Sequence, residues 1–140
     1  MKDTLRPGLR HTFSYVVPPS KTVPHVYPES PDFLEMPEVF ATAFLVGLIE
    51  WTCMQALAPH LEPGEQSLGV HVDFSHDAAT PPGLSVTVSV EVAAVEGRRV
   101  TFRTEAHDGV DTISRGTHVR FVIDGARFRK KVAEKAAAKG

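Results

Sequence analysis

Residues 40–59 read FATAFLVGLIEWTCMQALAP, a stretch apolar around its whole circumference when drawn as a helix. Between Glu38 and His60 it carries one charged side chain, Glu50. A surface helix buries a single apolar stripe, whereas one that is apolar all round has to be enclosed by other elements. The longest apolar run, Val39 to Ile49, is broken at Thr42 and Gly47 and is too short to cross a bilayer, which takes about 20 residues. The chain must therefore supply its own wrapping, and 140 residues suffice for one domain with a real core. Proline in a first turn and an acid near the positive end of the helix dipole place the start at Pro37 or Glu38. Pro59 stops the helix after about Ala58.

The wrapping is written in the rest of the chain as period-two alternation. HTFSYVV, residues 11–17, reads as a first strand. PPSKTVPHVYPESP follows, with five prolines in fourteen residues, and is expected to be an ordered loop or lid without ladder hydrogen bonds. After the helix, SLGVHVDFSH places Leu68, Val70, Val72, Phe74 and His76 on one parity, expected to face inward. LSVTVSVEV gives the cleanest alternation, with Leu84, Val86, Val88, Val90 and Val92 inward. VTFRTEA and TISRGTHVRFVID are joined by HDGVD, a hairpin turn around Gly109. One strand, one buried helix and four antiparallel strands make an α+β domain whose sheet wraps a helix, the order of a hotdog fold. The expected organisation is one domain, 1–140, with a lid-like proline-rich segment at 18–37 and a flexible basic tail at 127–140.

Net charge is −2, so no general attraction to nucleic acid or anionic membrane is expected. A single cysteine excludes an internal disulfide and fits a reducing, cytoplasmic compartment. The polar start, MKDTLRPGLR, shows no secretory leader. The basic residues near the C-terminus, Arg127 to Lys139, read as a solvated, fraying helix.

Glu50 is the first chemical anomaly. Either it takes part in chemistry, or it faces a water-filled crevice or pairs with an arginine at a subunit contact. Thr42 and Val46 step along the same side of the helix, and Gly47 leaves room for a strand or ligand to approach. His76, at the inward parity of its strand, is the second anomaly; a lone histidine there is more often a satisfied core residue. Together, an acid on the helix and an imidazole on the covering strand form a candidate acid/base pair. His71 and Asp73 share the parity opposite His76, so the three do not converge and no metal site is expected. Ser75 points away from His76, and Cys53 reads as packing. The bare backbone of Gly69 could donate to an oxyanion.

The motifs VVPP, YPESP, PEVFAT, VGLIEW, LEPGE, SLG, AATPPGL, VEGRR, AHDGVD and GTHVR extend along nearly the full length. In these the chain resembles the fluoroacetyl-CoA thioesterase family of hotdog-fold homodimers. The resemblance implies hydrolysis of a short acyl-CoA, with fluoroacetyl-CoA foremost, and no cofactor beyond the coenzyme A of the substrate. It implies Thr42, Glu50 and His76 as the catalytic residues, with Thr42 positioning the Glu50 carboxylate or the substrate. It implies substrate contacts at Gly69, Arg120, Val23, Val26, Phe33 and Met36. The site would sit at the subunit contact, where Arg120 could come from either chain. The family's lid carries two phenylalanines; here Phe33 is kept and Met36 takes the second place, with Val26 in place of a leucine. Those departures bear on acyl preference and leave the hydrolytic residues intact. The alternatives are a thioesterase for another small acyl group, a hotdog hydratase, or a non-catalytic acyl-CoA binding protein.

Overall fold

The computed structural model of the chain describes residues 1–139. In chain order the elements are β1 (Arg10–Val16), a short helix α1 (Pro31–Leu34), the long helix α2 (Thr42–Leu57), β2 (Glu65–Phe74), β3 (Ser85–Glu96), β4 (Arg99–His107), β5 (Thr112–Asp124) and α3 (Gly125–Lys139). The strands form one five-stranded sheet in the order β1-β3-β4-β5-β2, antiparallel at every step. The alternation in LSVTVSVEV is realised directly: Val86, Val88, Val90 and Val92 are buried beneath α2, while Leu84 precedes the strand. Burying each such side chain is worth roughly 1.5–3 kcal/mol. Leu45, Leu48, Ile49, Cys53 and Leu57 meet them from the helix.

α2 begins four or five residues later than expected, at Thr42. The backbone before it is used elsewhere. Phe40 N donates to Thr80 O, Ala41 N to Lys21 O, and Thr22 bridges Phe40 as in a short ladder. Those bonds hold the PEVFA segment extended and leave Thr42 as the first helical residue. Nor is the helix enclosed on all sides by its own chain. Trp51 and Met54 are 47% and 46% exposed, although Phe13 packs on the edge of the Trp51 ring at 4.7 Å.

β2 departs from the expected parity because of a bulge. Its register against β5 shifts between Gly69 and His71, leaving Val70 as the extra residue. An inserted residue flips every side chain beyond it to the other face. Ser67 and Gly69 therefore face α2 before the bulge, opposite Val122 and Arg120, whereas Leu68 lies opposite Phe121 on the outer face. Beyond the bulge Val72 and Phe74 face inward as expected, opposite His118 and Gly116. As an edge strand, β2 leaves Val70 and Val72 50% and 45% exposed.

The β4–β5 turn is held by Asp108, whose Oδ1 accepts from Val110 N and Asp111 N and whose Oδ2 accepts from Thr80 Oγ1. The proline-rich segment forms two 3₁₀ turns and α1, which Ser30 caps by accepting from Phe33 N. The basic C-terminal stretch is helical, and its side chains are exposed nearly throughout.

Candidate active site

Two polar loci lie along α2. The first is at its N-terminus. Thr42 Oγ1 and His76 Nδ1 share a hydrogen bond of 2.7 Å. His76 lies just beyond the end of β2, where Ser75 N and Asp77 N donate to Arg115 O and Ile113 O and prolong the pairing. Partial burial lowers the pKa of His76 from its ordinary 6.5, against the opposing charge of Asp77, and so favours the neutral ring. Val23, Val39 and Phe40 join Thr42 and His76 around a cavity of about 270 Å3. Thr42 thus meets His76 and not the Glu50 carboxylate, and His76 is held toward neutrality instead of being an imidazolium beside an acid.

The second locus is two turns further along. Glu50 Oε2 accepts from Arg120 Nη1 at 3.0 Å. The guanidinium is buried, its side chain only 4% exposed, while Glu50 is 35% exposed. Arg120 Nε donates to Ser67 Oγ at 2.8 Å, and Nη2 donates to Ser67 O at 2.9 Å. His118, fully buried on β5, lies 3.1 Å from Nη1 through Nε2 and 2.8 Å from His71 O through Nδ1. Gly69 covers the group, and a side chain there would crowd the Glu50 carboxylate. A Cβ would lie 2.5 Å from Glu50 Oε2, 3.2 Å from His118 Cε1 and 3.4 Å from Arg120 Nη1. Glu50 Oε1 makes no hydrogen bond among the described residues, so one carboxylate oxygen is anchored and the other is presented outward.

Of the expected site residues, Thr42, His76 and Val23 meet at one locus, and Glu50, Gly69 and Arg120 at the other. Arg120 reaches Glu50 of its own chain. Phe33 stacks near Tyr27, with ring centroids 5.7 Å apart, and Met36 is 48% exposed; neither they nor Val26 line the cavity at His76. Ser67 and His118 escaped the reading of the sequence. The signal for His118 was its inward parity with Arg120 and Val122, which places two polar residues in succession on a buried face. Cys53 is buried and its thiol is pushed up to about 12, chiefly by burial, so it is no thiolate at neutral pH.

A helix wrapped by an antiparallel sheet, with an anchored carboxylate and a threonine–histidine pair on that helix, defines a hotdog protein of the thioesterase superfamily. A Thermus thermophilus member of that superfamily superposes with a TM-score of 0.83 at 28% identity, covering 97% of this chain and 98% of its own. The profile of the fluoroacetyl-CoA-specific thioesterases matches residues 19–126. A fluoroacetyl-CoA thioesterase of Streptantibioticus cattleyicolor is 59% identical over 138 residues, 99% of each chain. A solved structure of a fluoroacetyl-CoA thioesterase variant in complex with fluoroacetate matches with a TM-score of 0.92 at 59% identity, covering 94% of this chain and 98% of that one. The chain belongs to the fluoroacetyl-CoA-specific thioesterase family.

Proposed function

We propose that this chain hydrolyses the thioester of a short acyl-CoA, with fluoroacetyl-CoA as its substrate, to the free acid and the CoA thiol. The observation that carries the reading is the half-anchored Glu50, with Oε2 fixed by buried Arg120 and Oε1 open. A carboxylate held in this way is already oriented and needs no rearrangement to act on a carbonyl. Glu50 acts on the thioester carbonyl, by direct attack or through a water that it deprotonates. Gly69 lets the acyl group come close to that carboxylate. His76, poised toward its neutral form and hydrogen-bonded to Thr42, carries the proton to the leaving thiolate. The reaction asks for no cofactor beyond the coenzyme that the substrate brings. The cytoplasm, where acyl-CoA esters are handled, suits a chain whose one cysteine is buried and unpaired.

The reaction centre forms between two copies of the chain. Thr42 and Glu50 are eight residues apart on one helix, about 12 Å at 1.5 Å per residue. One short acyl thioester does not reach both. The exposed edge of β2 and the uncovered Trp51 and Met54 offer the surface on which a second copy closes the gap. Val23, Val26, Phe33 and Met36 form the apolar lid over the acyl group.

Thiol release from acetyl-, fluoroacetyl- and propionyl-CoA tests the activity, and no release from any of them would overturn it. Mixing Glu50→Gln with His76→Ala chains tests the shared centre. Mixed dimers carry one intact centre, so an equimolar mixture of two inactive variants should regain about a quarter of wild-type activity. A mixture that stays inactive while the dimers exchange would place both halves of the centre in one chain.

A further inference from the structure

The Glu50 locus contains a buried imidazole to which the hydrolytic chemistry gives no direct part. Its two nitrogens are each constrained by a partner of fixed character. A backbone carbonyl only accepts, so His118 Nδ1, 2.8 Å from His71 O, must carry a proton. A guanidinium only donates, so Nε2, 3.1 Å from Arg120 Nη1, must be bare. His118 is therefore neutral and in one tautomer. An imidazolium would set an N–H against the N–H of Arg120 between two side chains that are almost wholly buried. Burial likewise lowers its pKa and Arg120 adds to that, against the opposing pull of the His71 carbonyl and of Glu50.

The consequence falls on Arg120. Nη1 has two hydrogens, one taken by His118 Nε2 and the other by Glu50 Oε2. Nε and Nη2 are tied to Ser67 Oγ and O. With three of its partners fixed, the guanidinium cannot turn, and its remaining Nη1 hydrogen is aimed at the carboxylate. The anchor at the far end, His71 O, belongs to the β2 bulge. We propose that His118 is a positioning residue: locked as its Nδ1–H tautomer between the bulge and Arg120, it sets the direction in which Arg120 holds Glu50. This rests on Glu50 being the reacting group, as proposed above.

Two substitutions separate the ring's ends. His118→Asn puts an amide N–H where Nδ1 was and keeps the bond to His71 O, but it offers Arg120 no acceptor. His118→Gln reaches Arg120 with its carbonyl and gives up the bond to His71. Fluoroacetyl-CoA hydrolysis by the full-length protein should lose about 10- to 100-fold in kcat in the Asn variant, the usual scale for a misdirected group. KM should stay within a few-fold, and His118→Gln should recover most of kcat. A purely structural role would instead lower the melting temperature of both variants and leave kcat per folded enzyme unchanged. Nitrogen NMR of 15N-histidine-labelled wild type adds a reading that needs no variant to fold. It should show His118 protonated at Nδ1 and bare at Nε2 through neutral pH. An Nε2–H or doubly protonated ring, or equal kcat in the Asn and Gln variants, overturns the proposal. A Glu50→Gln enzyme with wild-type kcat would instead overturn the reading of Glu50, and this one with it. An inactive Glu50→Gln beside a fully active His118→Asn overturns only the role of His118.

Discussion

Replacing Gly69 by alanine should disable the site without unfolding the protein. The added methyl carbon would stand 2.5 Å from Glu50 Oε2, where non-bonded heavy atoms settle at about 3.5 Å. The carboxylate would therefore have to retreat by about 1 Å. It cannot do so and keep its 3.0 Å hydrogen bond from Arg120 Nη1. A displacement of that size at a reacting group costs on the order of 100-fold in rate. The effect on stability should be much smaller. Loss of one hydrogen bond between charged groups costs about 1.5–3 kcal/mol. Gly69 has no left-handed φ, so alanine suits its backbone and gives back about 0.4–1 kcal/mol by restricting the unfolded chain. The net loss is of the order of 1–2 kcal/mol, well short of unfolding a domain. Thiol release read with a chromogenic disulfide gives kcat and KM, and urea denaturation reads stability on the same preparation. A Gly69→Ala enzyme with wild-type kcat would show that Glu50 can move freely without penalty, and the anchored-carboxylate argument would fall.

Glu50→Gln should lower kcat by roughly two to four orders of magnitude, the range for one acid/base group, with a near-native urea midpoint; wild-type turnover would make Glu50 structural. Gly47→Ala, where a Cβ meets nothing within 4 Å of its own chain, should raise monomer stability by about 1 kcal/mol as glycine leaves a helix interior. Destabilisation that deepens with protein concentration would instead place a second copy against that face. Met36→Phe should sharpen the preference for fluoroacetyl- over acetyl-CoA, read as the ratio of kcat/KM values; an unchanged ratio would remove the lid from selectivity. Stability should also depend on pH through His76 and His118. Both have folded pKa values below the ordinary 6.5, so the unfolded chain binds more protons near that pH. The stability they contribute is complete above 6.5 and is lost as pH falls through it, levelling off at the folded pKa values. The melting temperature should drop between pH 7.5 and 6, and less so in His118→Gln; a flat profile would show that neither ring is held neutral.

Most of the architecture is legible because the apolar pattern is a local consequence of burial. The four valines from Val86 to Val92 need no tertiary information to be placed inside. The start of α2 is not legible, because Phe40 and Ala41 have their N–H groups taken by Thr80 and Lys21, residues remote in sequence or in another element. Nor is the phase of β2, which alternates without a break in the sequence and slips only where β5 dictates the register. Glu50 stands out by its surroundings, and an arginine partner was among the readings open to it. His118 does not, because an imidazole two residues from an arginine in GTHVRF looks solvated until a carbonyl and a guanidinium are placed at its two ends.

The bulge at Val70 adds a residue to β2 without adding a pair to the ladder. Because one extra residue switches the phase of β2, Ser67 and Gly69 before it and Val72 and Phe74 beyond it share the helix-facing surface. No substitution at Val70 changes that arithmetic, since the side chain there does no phasing. Nor does removing the residue, because Gly69 already lies opposite Arg120 and His71 opposite Val119, so every pair with β5 would be kept. Deleting this exposed valine would therefore straighten the strand while Ser67, Gly69, Val72 and Phe74 keep their face, and the contact it puts at risk is the one between the His71 carbonyl and His118 Nδ1.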